Sequence, residues 1–351
     1  MPVQIHELEL FAVEVPRTES QRPVRSVLIR VGSESGAEGW GEAPLPWRVD
    51  ELPGRRDAIM AALEGHSMFD LEELHRTPAL CPAPLRAGVE LALWDVVGRV
   101  CGQPLCHLLG GGFRGHVPIA LRIDSQQPEQ VARLADEASQ QGFLAVVLHL
   151  TGDPARDLTL ARAARQAVGD RVELRLDAAE RFRPEAARDF CAALEPSGVA
   201  CLIDPLDTRQ LHAAAALGRQ TTIPLAVGRA LGAPGDVLAA VRAGAGSMLV
   251  LNLEPLGGIL PARKATTIAE AADVPVTLAI GGSVGLTSAA MLQLAAALPA
   301  LAGANACTYA QLTDSILADP PELIDGMLSV PPGSGLGVQV DRAKLEQYQV
   351  G

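Results

Sequence analysis

His149, Asp177, Arg229 and Asn252 each end or directly follow a short apolar run, and their types could do acid–base chemistry on an acidic ligand. The runs are AVVLHL, ELRLD, PLAVGR and MLVLNL. A neutral imidazole, with an unperturbed pKa of about 6.5, accepts protons well near neutral pH, which makes His149 a candidate base. Asp177 can orient that imidazole, hold a cation, or form a buried ion pair with Arg229. A guanidinium meets a carboxylate through two parallel hydrogen bonds, so Arg229 equally suits a substrate carboxylate. Asn252 can hydrogen-bond a ligand but cannot take a proton as a lysine does. The GGSVG stretch, Gly281 to Gly285, places backbone amides ahead of a helix, which adds Ser283 to the anion-binding candidates; the plainer reading is a tight turn. Arg17, Arg22 and Arg25 lie on a polar loop and could attract an acid or stay solvated.

The elements that must position these residues follow from periodicity. From about residue 116, apolar runs alternate with Ala-rich helical segments about every 25 residues, the rhythm of βα units. Strands are expected at 117–122, 145–150, 173–177, 200–203, 224–228, 248–252, 275–280 and 306–310. Their near-continuous apolarity suits strands covered on both faces. Upstream, VQIHELELFAVEV and RSVLIRVGSE read as antiparallel strands leading into a tight GWGE turn, and RAGVELALWDVVGRVCG reads as an amphipathic helix stopped by Gly102. The expected organisation is an α+β cap over residues 1–115, a barrel over 116–325, and a segment 326–351 that packs back on the cap.

Composition narrows the function classes. With 351 residues and 48% hydrophobic content the chain can bury a barrel-sized core, and a net charge of -12 argues against nucleic acid as partner. The longest apolar stretch, AAMLQLAAALPALAGANA, is broken by Gln293, Pro299 and Gly303, which argues for a buried helix instead of a membrane span. The first residues alternate like a strand and lack a basic n-region, so a cytoplasmic protein is expected. Six cysteines without a CxxC pair are expected to be buried and reduced. Lys264 and Lys344 are the only lysines among 29 basic residues, which nearly excludes a mechanism with two convergent lysines.

The motifs GWGEA, ALWDVVGRVCGQPLCHLLGG, GFLAVVLHL, LRLDA, IDPL, LGGI and PPGSGLGVQVD occur in an order that resembles the mandelate racemase and muconate-lactonizing branch of the enolase superfamily. The resemblance spans essentially the whole chain. It implies an α/β fold, a modified TIM-type (β/α)7β barrel closed by an α+β capping domain, and homo-oligomers are common in that superfamily. It also implies Mg²⁺ as the family cofactor, held at strand ends to stabilise the enediolate formed when a proton is removed alpha to a carboxylate. Placed on this chain, the second-strand Lys-x-Lys falls on Val147 and His149, and the third-strand metal carboxylate is kept as Asp177. The fourth-strand Glu falls on Ile203 with Asp204 one place later. The fifth-strand acidic pair falls on Gly228 and Arg229, the sixth-strand Lys on Asn252, and the acid after the seventh strand on Gly281 or Gly282.

One carboxylate cannot offset the dehydration of a hard divalent cation, so no cofactor and no metal are expected. Asp204 could rescue the site only through a bulge, because adjacent residues of a strand point to opposite faces. The expected function is a degenerate, isomerase-like family member that keeps a pocket for a small carboxylate. Two alternatives stand beside it. One is a metal-independent isomerase or lyase using His149 as base and Arg229 as carboxylate clamp; the other is a conventional Mg²⁺-dependent racemase, cycloisomerase or dehydratase. Trp40, Glu42, Trp94 and Asp95 are expected to be structural.

Overall fold

The computed structural model describes residues 4–18, 22–34, 36–207 and 209–351. The chain begins with an antiparallel meander of β1 (Ile5–Val15), β2 (Val24–Ser33) and β3 (Glu38–Pro44). Side-chain alternation makes β2 serve two cores. Val27, Ile29 and Val31 face the cap's own core, while Val24 and Leu28 join the core of the barrel. The helix Ala83–Cys101 packs on this sheet, and here the GWGE glycines find their purpose. They lie inside β3 and form no turn. A side chain on Gly41 would meet the Gly88 carbonyl at 1.9 Å, and one on Gly39 the Ala92 carbonyl at 2.4 Å, so their absence lets helix and strand touch.

Eight parallel strands follow: β4 (His116–Ile123), β5 (Ala145–His149), β6 (Glu173–Asp177), β7 (Cys201–Ile203), β8 (Leu225–Val227), β9 (Met248–Asn252), β10 (Val276–Ala279) and β11 (Asn305–Ala306). Each pairs with the next, and β11 pairs with β4 to close the barrel. The fold is therefore an α/β barrel with an α+β cap carrying a three-stranded antiparallel sheet. Within the strands, alternate residues face in and out. Val146 and Leu148 belong to the outer core beneath the helices, whereas Ala145, Val147, Cys201, Ile203 and Ala226 fill the interior. Arg175 plugs that interior, donating to the Ala304 carbonyl at 2.7 Å and to Glu173 at 2.6 Å.

After the barrel, a hairpin of Leu323–Ile324 and Met327–Ser329 adds antiparallel to β4, so the expected boundary at 325/326 falls inside a hairpin. The tail then returns to the cap. Gly335 abuts Asp95, and the Val350 amide donates to the Ala12 carbonyl at 2.9 Å. The helix Leu286–Ala296 is buried at every residue, and its one amide side chain, Gln293, binds Cys106, Pro331 and Leu336 backbone groups. Among the described residues no helix is long and apolar enough to cross a membrane. All six cysteines are free; four are buried as expected, but Cys81 and Cys101 are exposed.

Candidate active site

Strand register sets the geometry of the barrel mouth. β5 and β6 pair with His149 opposite Asp177, and β6 and β7 pair with Asp177 opposite Ile203, so these residues share one level. The loop after His149 is tied down by buried Asp157, which accepts from the Thr151 amide at 2.7 Å and the Gly152 amide at 2.9 Å. His149 Nδ1 lies 3.3 Å from Asp177 Oδ2. Arg229, just past β8, reaches back over the mouth. Its Nη1 donates to Asp177 Oδ1 at 2.7 Å and its Nη2 to Asp177 Oδ2 at 3.0 Å, while Nη1 also donates to Asp204 Oδ2 at 3.1 Å. The ion pair between Asp177 and Arg229 is thus formed, and it is bidentate.

Asp204 overturns the alternation argument. Its backbone adopts a left-handed conformation, φ 44°, immediately after β7, and the change of hand swings its side chain into the mouth beside Asp177. There it accepts from the amides of Gly228 at 2.8 Å and Arg229 at 3.0 Å. Burial pushes the Asp204 carboxyl up, with those amides and the guanidinium pulling the other way. Burial also opposes ionisation of Asp177, but hydrogen bonds from His149 and Arg229 outweigh it and hold that carboxyl far below the usual range. An ionised carboxylate only accepts, so the His149 Nδ1 is the donor of this pair. The Arg229 guanidinium is raised in turn, because the two carboxylates outweigh its partial burial.

The mouth holds a cavity of about 320 Å³ lined by Asp177, Asp204, Arg229, Asn252, Arg122 and Cys307 among others. His149 does not itself line this cavity and is joined to it only through its contact with Asp177; its side chain is 19% exposed. Asn252 lines the cavity, and its side chain accepts from the Glu254 amide at 3.0 Å to start a short helix.

Two candidates fall away. Ser283 is fully buried and donates to Glu42 Oε2 at 2.8 Å. The amides of the GGSVG turn and the helix behind it are also taken, since Val284 and Thr287 donate to Glu42 at 2.6 and 3.0 Å. A carboxylate of the cap therefore fills the place expected for a bound anion. Arg22 is exposed and does not line the cavity, while Arg25 pairs with Glu14 at 3.2 Å. Arg17 instead donates to Gln311 at 2.6 Å.

Glu254 escaped the sequence reading. It sits two residues past β9, is only 7% exposed, and its carboxyl is pushed up to about 7 by burial and by the nearby Glu42. The available signal was an acid inside the apolar stretch LNLEPLGG.

Magnesium asks for near-octahedral oxygen ligands at about 2.1 Å. A guanidinium nitrogen occupies the point where the two carboxylates meet, Asp204 already binds two amides, and Gly228 offers no side-chain donor. Among the described residues the one cluster of three His, Cys or acidic ligand atoms lies elsewhere, at His66, Asp70 and Glu73 of the cap. As arranged, the mouth residues do not fit Mg²⁺.

A capped α/β barrel with a charged pocket at the C-terminal ends of its strands defines the class of the protein. Comparison with known families makes it specific. Residues 8–110 match the mandelate racemase/muconate lactonizing enzyme N-terminal domain, and residues 130–344 match the enolase C-terminal domain-like family. The chain belongs to the mandelate racemase/muconate lactonizing enzyme subgroup of the enolase superfamily. It is 26% identical to a D-galactarolactone cycloisomerase of Agrobacterium fabrum over 92% of this chain and 91% of the relative. It is 28% identical to an L-Ala-D/L-Glu epimerase of Bacillus subtilis over 82% of this chain and 84% of the relative. Its fold superposes on the crystal structure of muconate cycloisomerase from Pseudomonas fluorescens with a TM-score of 0.91, at 23% identity and full coverage of both chains. These relatives are named as enzymes, and nothing in the comparisons marks this chain as a member that only binds. The expected loss of catalysis is therefore set aside.

Proposed function

We propose that this chain is an isomerase or lyase that moves a proton beside the carboxylate of a small acid, with His149 as base and Arg229 as the positive charge facing the substrate. The observation that carries the reading is how Arg229 divides its hydrogen bonds. Nη1 and Nη2 hold Asp177 and Asp204, while Nε makes no hydrogen bond among the described residues and the side chain is 37% exposed. The Nε and outer Nη2 edge remains for a second, bidentate carboxylate. Removing the α-proton puts negative charge on that carboxylate, and a fixed guanidinium stabilises it more in the transition state than in the ground state. The His149 Nε2 takes the proton, and ionised Asp177 stabilises the imidazolium that forms. The named activities of the relatives, a cycloisomerase and an epimerase, fit this chemistry. In this reading the enzyme works in the cytoplasm as a homo-oligomer. Its lid is formed by residues 1–115 and 326–351, and its chamber by 116–325.

The test is deuterium wash-in from D2O at the α-carbon of a panel of small acids that includes muconolactone and L-Ala-D-Glu, followed by NMR with and without EDTA. Exchange that resists EDTA and falls at least about 100-fold in His149→Gln supports the reading. Exchange indifferent to His149 overturns it. The convergence of Asp177 and Asp204 on one point favours a second reading, in which Mg²⁺ displaces Arg229. Activity abolished by EDTA, together with a saturable thermal stabilisation by Mg²⁺ that Asp177→Ala removes, would establish that reading instead.

A further inference from the structure

Arg122 lines the mouth cavity together with Arg229, yet it has no part in the chemistry described so far. Its direction follows from the alternation of β4. Ile119 and Ile123 join the core beneath the helices and Ala120 the barrel interior, so Arg122, two residues past Ala120, also points inward. Its Nε donates to Asp124 Oδ1 at 2.7 Å, which leaves the two Nη groups without a hydrogen bond among the described residues. β4 and β8 are four strands apart in the closed ring of eight, so Arg122 enters the cavity from the side away from Arg229, which follows β8. Much of the remaining lining is apolar, including Val147, Ile203, Val250 and Ile280.

Charge is spread unevenly over the mouth. Arg229 faces two carboxylates, Asp177 and Asp204. On the β4 side the balance is reversed, because a second guanidinium, Arg17 of the cap, lies close to both Asp124 and Arg122. Gln311 ties the two arginines together. Its side-chain oxygen accepts from Arg17 Nη2 at 2.6 Å, and its side-chain nitrogen donates to the Arg122 carbonyl at 2.6 Å. Arg17 Nε is buried with no partner among the described residues. Burial pushes the Arg17 guanidinium down, Asp124 resists, and the like charge of Arg122 adds to the push. Two guanidiniums with one carboxylate leave a positive excess where the Arg122 Nη groups meet open volume. A half-buried excess of one sign favours a further group of the other sign.

We propose that Arg122 is the specificity-determining residue of the pocket, holding through its Nη groups a second anionic group at the far end of the bound acid. The inference rests on the small-acid reading above and narrows the ligand to a short diacid. One carboxylate meets Arg229, the other meets Arg122, and the carbons between them lie against the apolar lining. Asp124 holds Arg122 by Nε alone, so the Nη1 and Nη2 edge stays available for a two-point contact with a carboxylate. Arg17 keeps Asp124 from neutralising Arg122 completely. Arg122 touches the ligand away from the carbon that exchanges its proton, so it selects and anchors the acid and moves no proton itself.

The test is calorimetric titration of the full chain with the diacids from malonate to adipate, each against the monoacid of the same chain length, propionate to hexanoate. At least one diacid should bind about tenfold or more tighter than its monoacid, the size of one charge-assisted contact. That ratio should fall to about one in Arg122→Gln, and Arg122→Lys, which keeps the charge but not the planar fork, should restore part of it. A ratio near one in the unaltered protein overturns the proposal, as does a ratio that survives in Arg122→Gln. A second readout needs no variant and so stands even if Arg122→Gln does not fold. With arginines labelled at the guanidinium nitrogens, the diacid should shift one more guanidinium signal than its monoacid does, and equal numbers of shifted signals overturn the proposal. Binding of monoacids and diacids with equal strength overturns the assignment of Arg122 alone. Binding of none of these acids overturns the small-acid reading itself.

Discussion

At the seam between cap and barrel, Glu42, Glu90 and Asp95 accept from amides and hydroxyls of elements far apart in the chain, with Arg99 on Asp95, whereas at the mouth Asp177 and Asp204 share the Arg229 guanidinium, with two amides on Asp204. Asp95 accepts from the amides of Trp40 at 2.9 Å and Leu336 at 2.8 Å as well as from Arg99, joining β3, the tail and its own helix. Glu42 and Glu90 do the same for the helices beginning at Leu286 and Ile259. Amides fixed in secondary structure cannot turn away, so these carboxylates are permanent fasteners. The guanidinium at the mouth is pinned by side-chain carboxylates beside open volume, with its Nε making no hydrogen bond among the described residues. Both regions solve the same desolvation problem, and only the second leaves a charge free to meet a ligand.

Breaking the seam should produce the largest effect. Glu42→Ala strands the amides of Val284 and Thr287 and the hydroxyls of Ser26 and Ser283, so a loss on the order of 3–5 kcal/mol is expected in chemical denaturation. A loss below about 1 kcal/mol would mean that the cap docks by apolar contact alone.

Glu254 gives the next effect, with a pH signature. Its folded carboxyl is at about 7 against an ordinary 4.5, so the folded state binds the proton more tightly, and its contribution to stability is lost as pH rises from about 4.5 to 7. Glu254→Gln should remove that decline and stabilise the protein at pH 8 by on the order of 2–3 kcal/mol, read as the difference between denaturation midpoints at pH 5 and pH 8.

Asp177 carries the opposite sign. Its folded carboxyl is depressed, so its contribution is present above the ordinary aspartate range and lost as pH falls below it. Because Arg229 is more than a third exposed, screening reduces the effect, and Asp177→Asn should cost about 1–2 kcal/mol at pH 7 while abolishing His149-dependent exchange. Equal losses of stability for Asp177→Asn and Glu42→Ala would erase the contrast between the regions. The smallest effect belongs to the exposed pair Lys264 and Glu72, where Lys264→Ala should change the melting midpoint by no more than about 0.5 kcal/mol equivalent.

Much of this contrast could be read from residue order and much could not. The βα rhythm located all eight barrel strands, because strands buried on both faces must be apolar nearly throughout. The structural roles of Trp40, Glu42 and Asp95 followed from their motifs. Ser283 was misplaced, because GGSVG is the same pattern whether its amides meet a ligand or a carboxylate brought 241 positions along the chain. Asp204 was misplaced by treating a strand end as regular alternation, which one left-handed residue reverses. Glu254 lay hidden because the glycine that makes room for it follows a different strand, β10.

The sequence alone determined the family, the barrel and its cap, and the replacement of expected acids and lysines by Ile203, Gly228, Arg229 and Asn252, since periodicity and residue type are local properties. Only the tertiary structure decided that Arg229 bridges Asp177 and Asp204, that Glu42 occupies the amides after β10, and that Glu254 is buried against Gly281. Charge compensation and burial depend on which groups meet in space, and closing a barrel brings together groups that the chain keeps far apart.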